Sequence, residues 1–133
     1  MVHDSTLKLL NSNFGGADWK SVHATASTAS DFPPAPEKLT YLHKDGALQS
    51  AIRIGRRMIT RSHEDYPGFA VLNTVLGGYF GSRLMSNIRE DKGYTYGIGS
   101  ANVSLERAGY FFISTEVGAD VTVSALEEIY KEM

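Results

Sequence analysis

Four histidines, His3, His23, His43 and His63, are where metal or acid–base chemistry would first be sought, and each stands alone in the sequence. His63 is followed by Glu64, but the place that would complete an H-E-x-x-H zinc pair is Pro67. A single imidazole cannot hold a catalytic zinc, which takes about three protein ligands, and the chain has no cysteine to add thiolates. The histidines therefore read as surface or turn residues, and none is expected to ligate a metal. The glycine-rich run Gly77-Gly78-Tyr79-Phe80-Gly81-Ser82-Arg83 lacks the lysine of a phosphate loop and follows a helix rather than a strand. It reads as a helix–helix corner. Two polar side chains stand close in the segment that follows. Arg89 offers a forked, permanently charged donor and Tyr96 a neutral phenol. They lie seven residues apart across the corner Lys92-Gly93, where both could point into one space.

Each of the two also has a plain structural reading. Arg89, close to a helix C-terminus, can serve the partial negative charge there or pair with Glu90 or Asp91. Tyr96 can be a half-buried strand residue stacked beside Tyr94 and Ile98. Arg83 reads as a structural salt-bridge residue.

The elements that must position these side chains follow from periodicity and punctuation. Leu7, Leu9 and Leu10 lead through Phe14 to Gly15-Gly16, the end of a short helix with glycine supplying a left-handed residue. Ser21 to Pro36, with Pro33, Pro34 and Pro36, reads as an extended connection. Strands are expected at Leu39–His43 and Gln49–Arg56, with Lys44-Asp45-Gly46 as the turn of a hairpin or bend. In the second strand, Ser50, Ile52, Ile54 and Arg56 alternate with Ala51, Arg53 and Gly55, giving one buried face.

Ser62 and Asp65 are spaced as a capping box, Pro67 suits a first helical turn, and Phe69, Leu72, Asn73 and Leu76 share one face up to Gly77-Gly78. A second helix, capped by Ser82, should bury Leu84, Met85 and Ile88 and stop at Lys92-Gly93. Two strands follow, Tyr94–Leu105 and Gly109–Val117, the first broken by a bulge near Gly97 and Gly99. Asp120 should cap a last helix with Leu126, Ile129, Tyr130 and Met133 on one face. The absence of a β-α-β rhythm predicts an α+β fold, a mainly antiparallel sheet with helices packed on one face.

Composition narrows the functional classes. At 133 residues, 42% hydrophobic and 21% charged, the chain has material for one domain around one core. A net charge of -2 and a pI near 6.1 give no footprint for nucleic acid. Arg53, Arg56, Arg57 and Arg61 cluster, but Glu64 and Asp65 follow closely. No apolar run reaches the roughly 18 residues of a membrane span, and MVHDSTLKLL lacks the build of a signal peptide. The helical pattern runs to Met133 without a breaker, so the chain reads as a fragment truncated at both ends.

The stretch LNTVLGGYFGSRLMSNIREDKGYTYGIGS, residues 72 to 100, resembles the C-terminal, non-zinc domain of the insulinase/pitrilysin metallopeptidases, the family of mitochondrial processing peptidase. Asn73, Leu76, Gly77, Gly78, Ser82, Arg83, Leu84, Arg89, Glu90, Gly93 and Tyr96 carry the likeness, and a weaker one extends over most of the chain. The resemblance implies a sandwich of antiparallel sheet and helices, repeated in a longer parent. It implies zinc on a homologous domain or subunit, in an H-x-x-E-H site, and none on this one. Arg89 and Tyr96 would then hold a peptide substrate against that zinc-bearing partner, while this part alone would be inactive. Relatives of the same fold that have lost proteolysis imply the alternative, a structural or assembly domain. A third reading is a module that binds extended peptides along a sheet edge.

Overall fold

The computed structural model describes residues 3–16 and 39–133. The predicted connection Ser21 to Pro36 and His23 lie outside the described residues. The chain divides into two compact units, Met1–Pro34 and Ala35–Met133.

The first unit contributes helix α1, Asp4–Phe14, whose described residues are all exposed. The Gly15 N–H donates to the Asn11 carbonyl at 3.0 Å, and Gly15 has φ −91°. The expected left-handed ending is therefore absent; α1 closes by continuing one more helical hydrogen bond.

In the second unit, β1 (Gln49–Met58), β2 (Thr95–Ser104) and β3 (Gly109–Gly118) form one antiparallel sheet in the order β1-β3-β2. The register pairs Ile52 with Thr115 and Ile54 with Ile113 on one side, and Ile98 with Thr115 and Ser100 with Ile113 on the other. Alternate residues of β3, Phe111, Ile113, Thr115 and Val117, are buried toward the helices. Tyr110, Phe112, Ser114 and Glu116 point the opposite way, and none of them is fully buried. The expected α+β layer with helices on one face is what forms.

Leu39–His43 forms no strand. Those residues have no regular structure and are exposed, and among the described residues β1 pairs only with β3. An edge strand needs an apolar face beneath it to be stable, and Leu39, Tyr41 and Leu42 find none. The turn at Lys44-Asp45 does form, with Gly46 at φ +69°.

Helix α2, Tyr66–Asn73, starts later than the capping box predicts. Asp65 is its N-cap without a side-chain bond, and the Ser62 hydroxyl sits 2.8 Å from that of Thr60 instead. Pro67 does occupy the first turn. The helix widens into a π-helical turn, Thr74–Gly78. Phe69 and Leu76 pack on the core, whereas Leu72 is exposed, so the predicted face is only partly used. A second π-helix, Met85–Asp91, carries Met85 and Ile88 inward, with Leu84 fully buried just before it. The chain ends with a single 3-10 turn, Ala119–Val121, and helix α3, Thr122–Glu132.

The α3 stripe differs from the prediction. Ala125 and Ile129, one turn apart, are the buried pair, Leu126 is half-buried, and Tyr130 and Met133 are exposed. A step of roughly 100° per residue turns Tyr130 away once Ala125 and Ile129 face the sheet. Asp120 makes no cap either; Val121 is the N-cap and no side chain bonds there. Leu84, Ile88, Ile98, Ile113, Val117, Ala125 and Ile129 meet in one core between sheet and helices.

Candidate functional site

The corner between the π-helix Met85–Asp91 and β2 is built by backbone rules before any side chain matters. The helix end is wide: the Lys92 N–H reaches the Asn87 carbonyl at 3.0 Å and the Tyr94 N–H reaches Ile88 at 3.0 Å. The Gly93 N–H also donates to the Arg89 carbonyl at 3.1 Å. Gly93 has φ +65°, the left-handed ending expected there. The carbonyls of Asn87, Ile88 and Arg89 are thus satisfied, and the chain reverses into β2 at once.

Two further features fix the corner. Met85 and Ile88 anchor the π-helix in the core, and a charged network holds its outer side to α3. Arg83 Nε donates to Glu132 Oε2 at 2.8 Å, and Asn87 Nδ2 donates to Glu132 Oε1 at 2.8 Å and Glu128 Oε2 at 3.2 Å. Lys131 Nζ reaches Glu128 Oε1 at 2.6 Å. The Arg83 guanidinium, aided by Asn87, holds the Glu132 carboxyl below the ordinary glutamate range against the opposing effect of burial. Arg83 is therefore a structural salt-bridge residue, as its position suggests. Ser82 makes no side-chain cap: its hydroxyl is buried and has no hydrogen-bond partner among the described residues.

On the strand side, the register of β2 slips between Thr95 and Ile98, where the glycines predict a bulge. The Thr95 hydroxyl accepts from the Gly97 N–H at 3.1 Å, and the Thr115 hydroxyl of β3 donates to the Gly97 carbonyl at 2.9 Å. The extra residue throws Tyr96 outward, leaving it 93% exposed. The reading of Tyr96 as a half-buried strand residue is thereby overturned.

Arg89 leans toward it. Its guanidinium carbon lies 5.7 Å from the centre of the Tyr96 ring and 4.6 Å from that of Phe80, both within cation–π range. Glu90 Oε1 is 3.9 Å from Arg89 Nη1, too long for a hydrogen bond, and the Arg89 side chain is 29% exposed. The arginine and tyrosine singled out from the sequence thus share one open surface. Three contributors escaped sequence reasoning. The Thr95 and Thr115 hydroxyls signal only through the neighbouring glycines. Phe80 signals as an aromatic between Gly78 and Gly81, in the turn where the Ser82 N–H bonds the Tyr79 carbonyl at 3.1 Å. That turn is the expected helix–helix corner.

Among the described residues of the second unit, the histidines are engaged with neighbouring acids. His43 pairs with Asp45 at 2.8 Å, and His63 lies 3.7 Å from Asp65. Among the described residues no three histidine, cysteine, aspartate or glutamate side chains come together, so the donor set does not fit zinc. No helix among them is long and apolar enough to cross a membrane.

Known proteins agree with this architecture. The family model described as the peptidase M16 inactive domain matches residues 1–133. The uncharacterized zinc protease YmxG of Bacillus subtilis is 33% identical over 132 residues, 99% of this chain and 31% of that protein. The uncharacterized zinc protease ML0855 of Mycobacterium leprae is 31% identical over 99 residues, 74% of this chain and 22% of its own length. This chain therefore spans less than a third of either relative. The crystal structure of a peptidase M16 inactive domain from Pseudomonas fluorescens superposes with a TM-score of 0.61 at 32% identity, over 63% of this chain and 21% of that one. A protease from Helicobacter pylori shares the fold with a TM-score of 0.64 at 19% identity, over 98% of this chain and 32% of that one. The chain belongs to the peptidase M16 family, the insulinase-type zinc proteases, as its inactive domain.

Proposed function

We propose that this chain is the substrate-holding, zinc-free C-terminal-type part of a longer zinc-dependent peptidase, with Arg89 and Tyr96 binding the peptide. One observation carries this reading: a guanidinium and a phenol ring 5.7 Å apart on an open surface at a rigid corner. The five N–H donors of Arg89 and the hydroxyl of Tyr96 suit peptide carbonyl oxygens. Donors preset in this way favour the charge that develops on a carbonyl oxygen during acyl transfer, each by roughly 3–4 kcal/mol where the contact forms mainly in the transition state. In this reading the metal chemistry is supplied by a homologous zinc-bearing domain or subunit; among the described residues of this chain no three histidine, cysteine, aspartate or glutamate side chains come together.

The test is made in the full protein that contains this sequence, together with its zinc-bearing half. Arg89→Ala and Tyr96→Phe should each cut peptide turnover by more than tenfold while zinc content and folding stay unchanged. Turnover at the wild-type level in both variants would overturn the reading and leave a structural or assembly domain of the same fold.

A further inference from the structure

We infer that Phe80 is a positioning residue for Arg89, an aromatic floor that fixes the guanidinium while leaving its donors free. The inference rests on the substrate-holding role proposed for Arg89 and deepens it. Phe80 is 61% exposed and takes no part in the core, so packing does not explain a large aromatic there. It sits in the turn that joins the two π-helical segments, and its ring centre is the nearer of the two aromatic centres around Arg89, at 4.6 Å against 5.7 Å.

The geometry bears on what Arg89 can do. An arginine is usually held by a carboxylate, which occupies the same N–H fork that a ligand would need. No side-chain hydrogen bond holds Arg89 among the described residues, and its nearest acid, Glu90, stands off at 3.9 Å. A ring face attracts the cation through its quadrupole and takes up none of the in-plane N–H donors. Phenylalanine suits this task better than a polar residue. It has no hydroxyl to compete for a peptide carbonyl, whereas Tyr96 does. The division of labour follows: Phe80 orients, and Arg89 and Tyr96 touch the peptide. Lysine at position 89 would not substitute, because an ammonium has no plane to lay on the ring.

Two measurements test this. In the 1H–15N spectrum of the chain, the Arg89 Nε–H proton should be shifted upfield by the ring, and Phe80→Leu should remove that shift while the methyl signals of Ile88 and Ile113 stay in place. Phe80→Tyr, which keeps the ring face, should retain it. In the full zinc-bearing protein, Phe80→Leu should lower kcat/KM about two- to fivefold, the scale of an exposed cation–π contact. The same change in an Arg89→Ala background should cost nothing further. An unshifted Nε–H resonance in the wild type, or an equal loss from Phe80→Leu with and without Arg89, would overturn the inference. If Arg89→Ala alone leaves turnover intact, the substrate role of Arg89 fails, and the floor is then judged by the resonance alone.

Discussion

Replacing Thr115 by valine would show how the bulge that presents Tyr96 is held. Thr115 is only 3% exposed, and its hydroxyl lies 2.9 Å from the Gly97 carbonyl and 2.9 Å from the Thr95 hydroxyl. Thr95 in turn lies 2.6 Å from the Glu116 carbonyl and 2.9 Å from that of Gly97. Each hydroxyl has a single proton. The arrangement that satisfies both carbonyls has Thr95 donating to Glu116 and Thr115 donating to Gly97. Valine keeps the shape of threonine and removes one proton, so one carbonyl loses its donor. A net hydrogen bond contributes about 0.5–1.5 kcal/mol, and a buried group left unpaired costs about 1–3 kcal/mol. Gly97 is exposed and water can replace part of the loss, which sets the expectation at about 1 kcal/mol. Urea unfolding of the chain should show a lower midpoint with an unchanged slope. Amide exchange should quicken at Gly97 and Ile98 and not at Ile113 in the middle of β3. Thr115→Ser, which keeps the hydroxyl, should preserve the Gly97 and Ile98 protection. If Thr115→Val matches the wild type in both midpoint and Gly97 exchange, the bulge is a property of the backbone and the threonines do not hold it.

Two other perturbations probe the same corner. A Cβ on Gly93 would meet nothing within 4 Å, so Gly93→Ala pays only for the left-handed backbone at φ +65°. It should destabilise the chain by about 1–2 kcal/mol, and Gly93→Asn by less, because asparagine tolerates that region; equal unfolding midpoints for glycine and alanine would contradict this. Glu132 gives a pH dependence. Arg83 holds its carboxyl below the ordinary 4.5, so between the folded and unfolded values the native chain binds fewer protons than the unfolded one. The stabilisation is complete above the ordinary value and is lost as the pH falls through the folded one. The midpoint of thermal unfolding should accordingly fall on acidification below about that ordinary range, and that of Glu132→Gln should start lower at neutral pH and fall less; parallel curves for the two proteins would show that the Arg83 pair is not the cause.

The sequence speaks most clearly where a residue type has one physical use. Gly93 after a basic helix end means a left-handed stop, and it is one. The run Gly109 to Val117 reads as a strand and forms one, with Phe111, Ile113, Thr115 and Val117 on its buried face. Leu84, Met85 and Ile88 read as an inward stripe and are buried. The failures have an equally physical origin. Leu39–His43 has the composition of a strand, but strand formation depends on a neighbour and a buried face that local sequence does not specify. Caps were misplaced at Ser62, Ser82 and Asp120 because a capping side chain competes with local turns and with burial, as the Thr60–Ser62 contact and the sealed Ser82 hydroxyl show. Tyr130 and Met133 look like parts of an apolar stripe, yet the small Ala125 is the residue that meets the core, and a one-residue rotation of α3 decides between them. At the site, Arg89 and Tyr96 stand out through the family resemblance of the stretch that holds them. Phe80, Thr95 and Thr115 do not, because their roles exist only once two segments meet.

Four irregularities of this fold gather at one corner. A π-helical turn at Thr74–Gly78, a second π-helix at Met85–Asp91, the left-handed Gly93 and the β2 bulge all flank the space shared by Phe80, Arg89 and Tyr96. Even the buried Gly77 belongs to the pattern: a Cβ there would stand 2.6 Å from the Ser100 hydroxyl and 2.7 Å from its backbone nitrogen, so only glycine lets the first π-turn lie against β2. π-Bulges and β-bulges are poorer hydrogen-bonding arrangements than the regular elements they interrupt, and they concentrate where a side chain must be aimed rather than merely packed. A domain needed only as a scaffold could run a regular α-helix into a regular strand at this corner. Regular geometry would return position 96 to strict alternation, where it would fall on one face of the sheet instead of projecting beside the end of the helix. Irregular backbone thus gathers around a half-buried arginine and an exposed tyrosine, the arrangement that the proposed peptide-holding role would use.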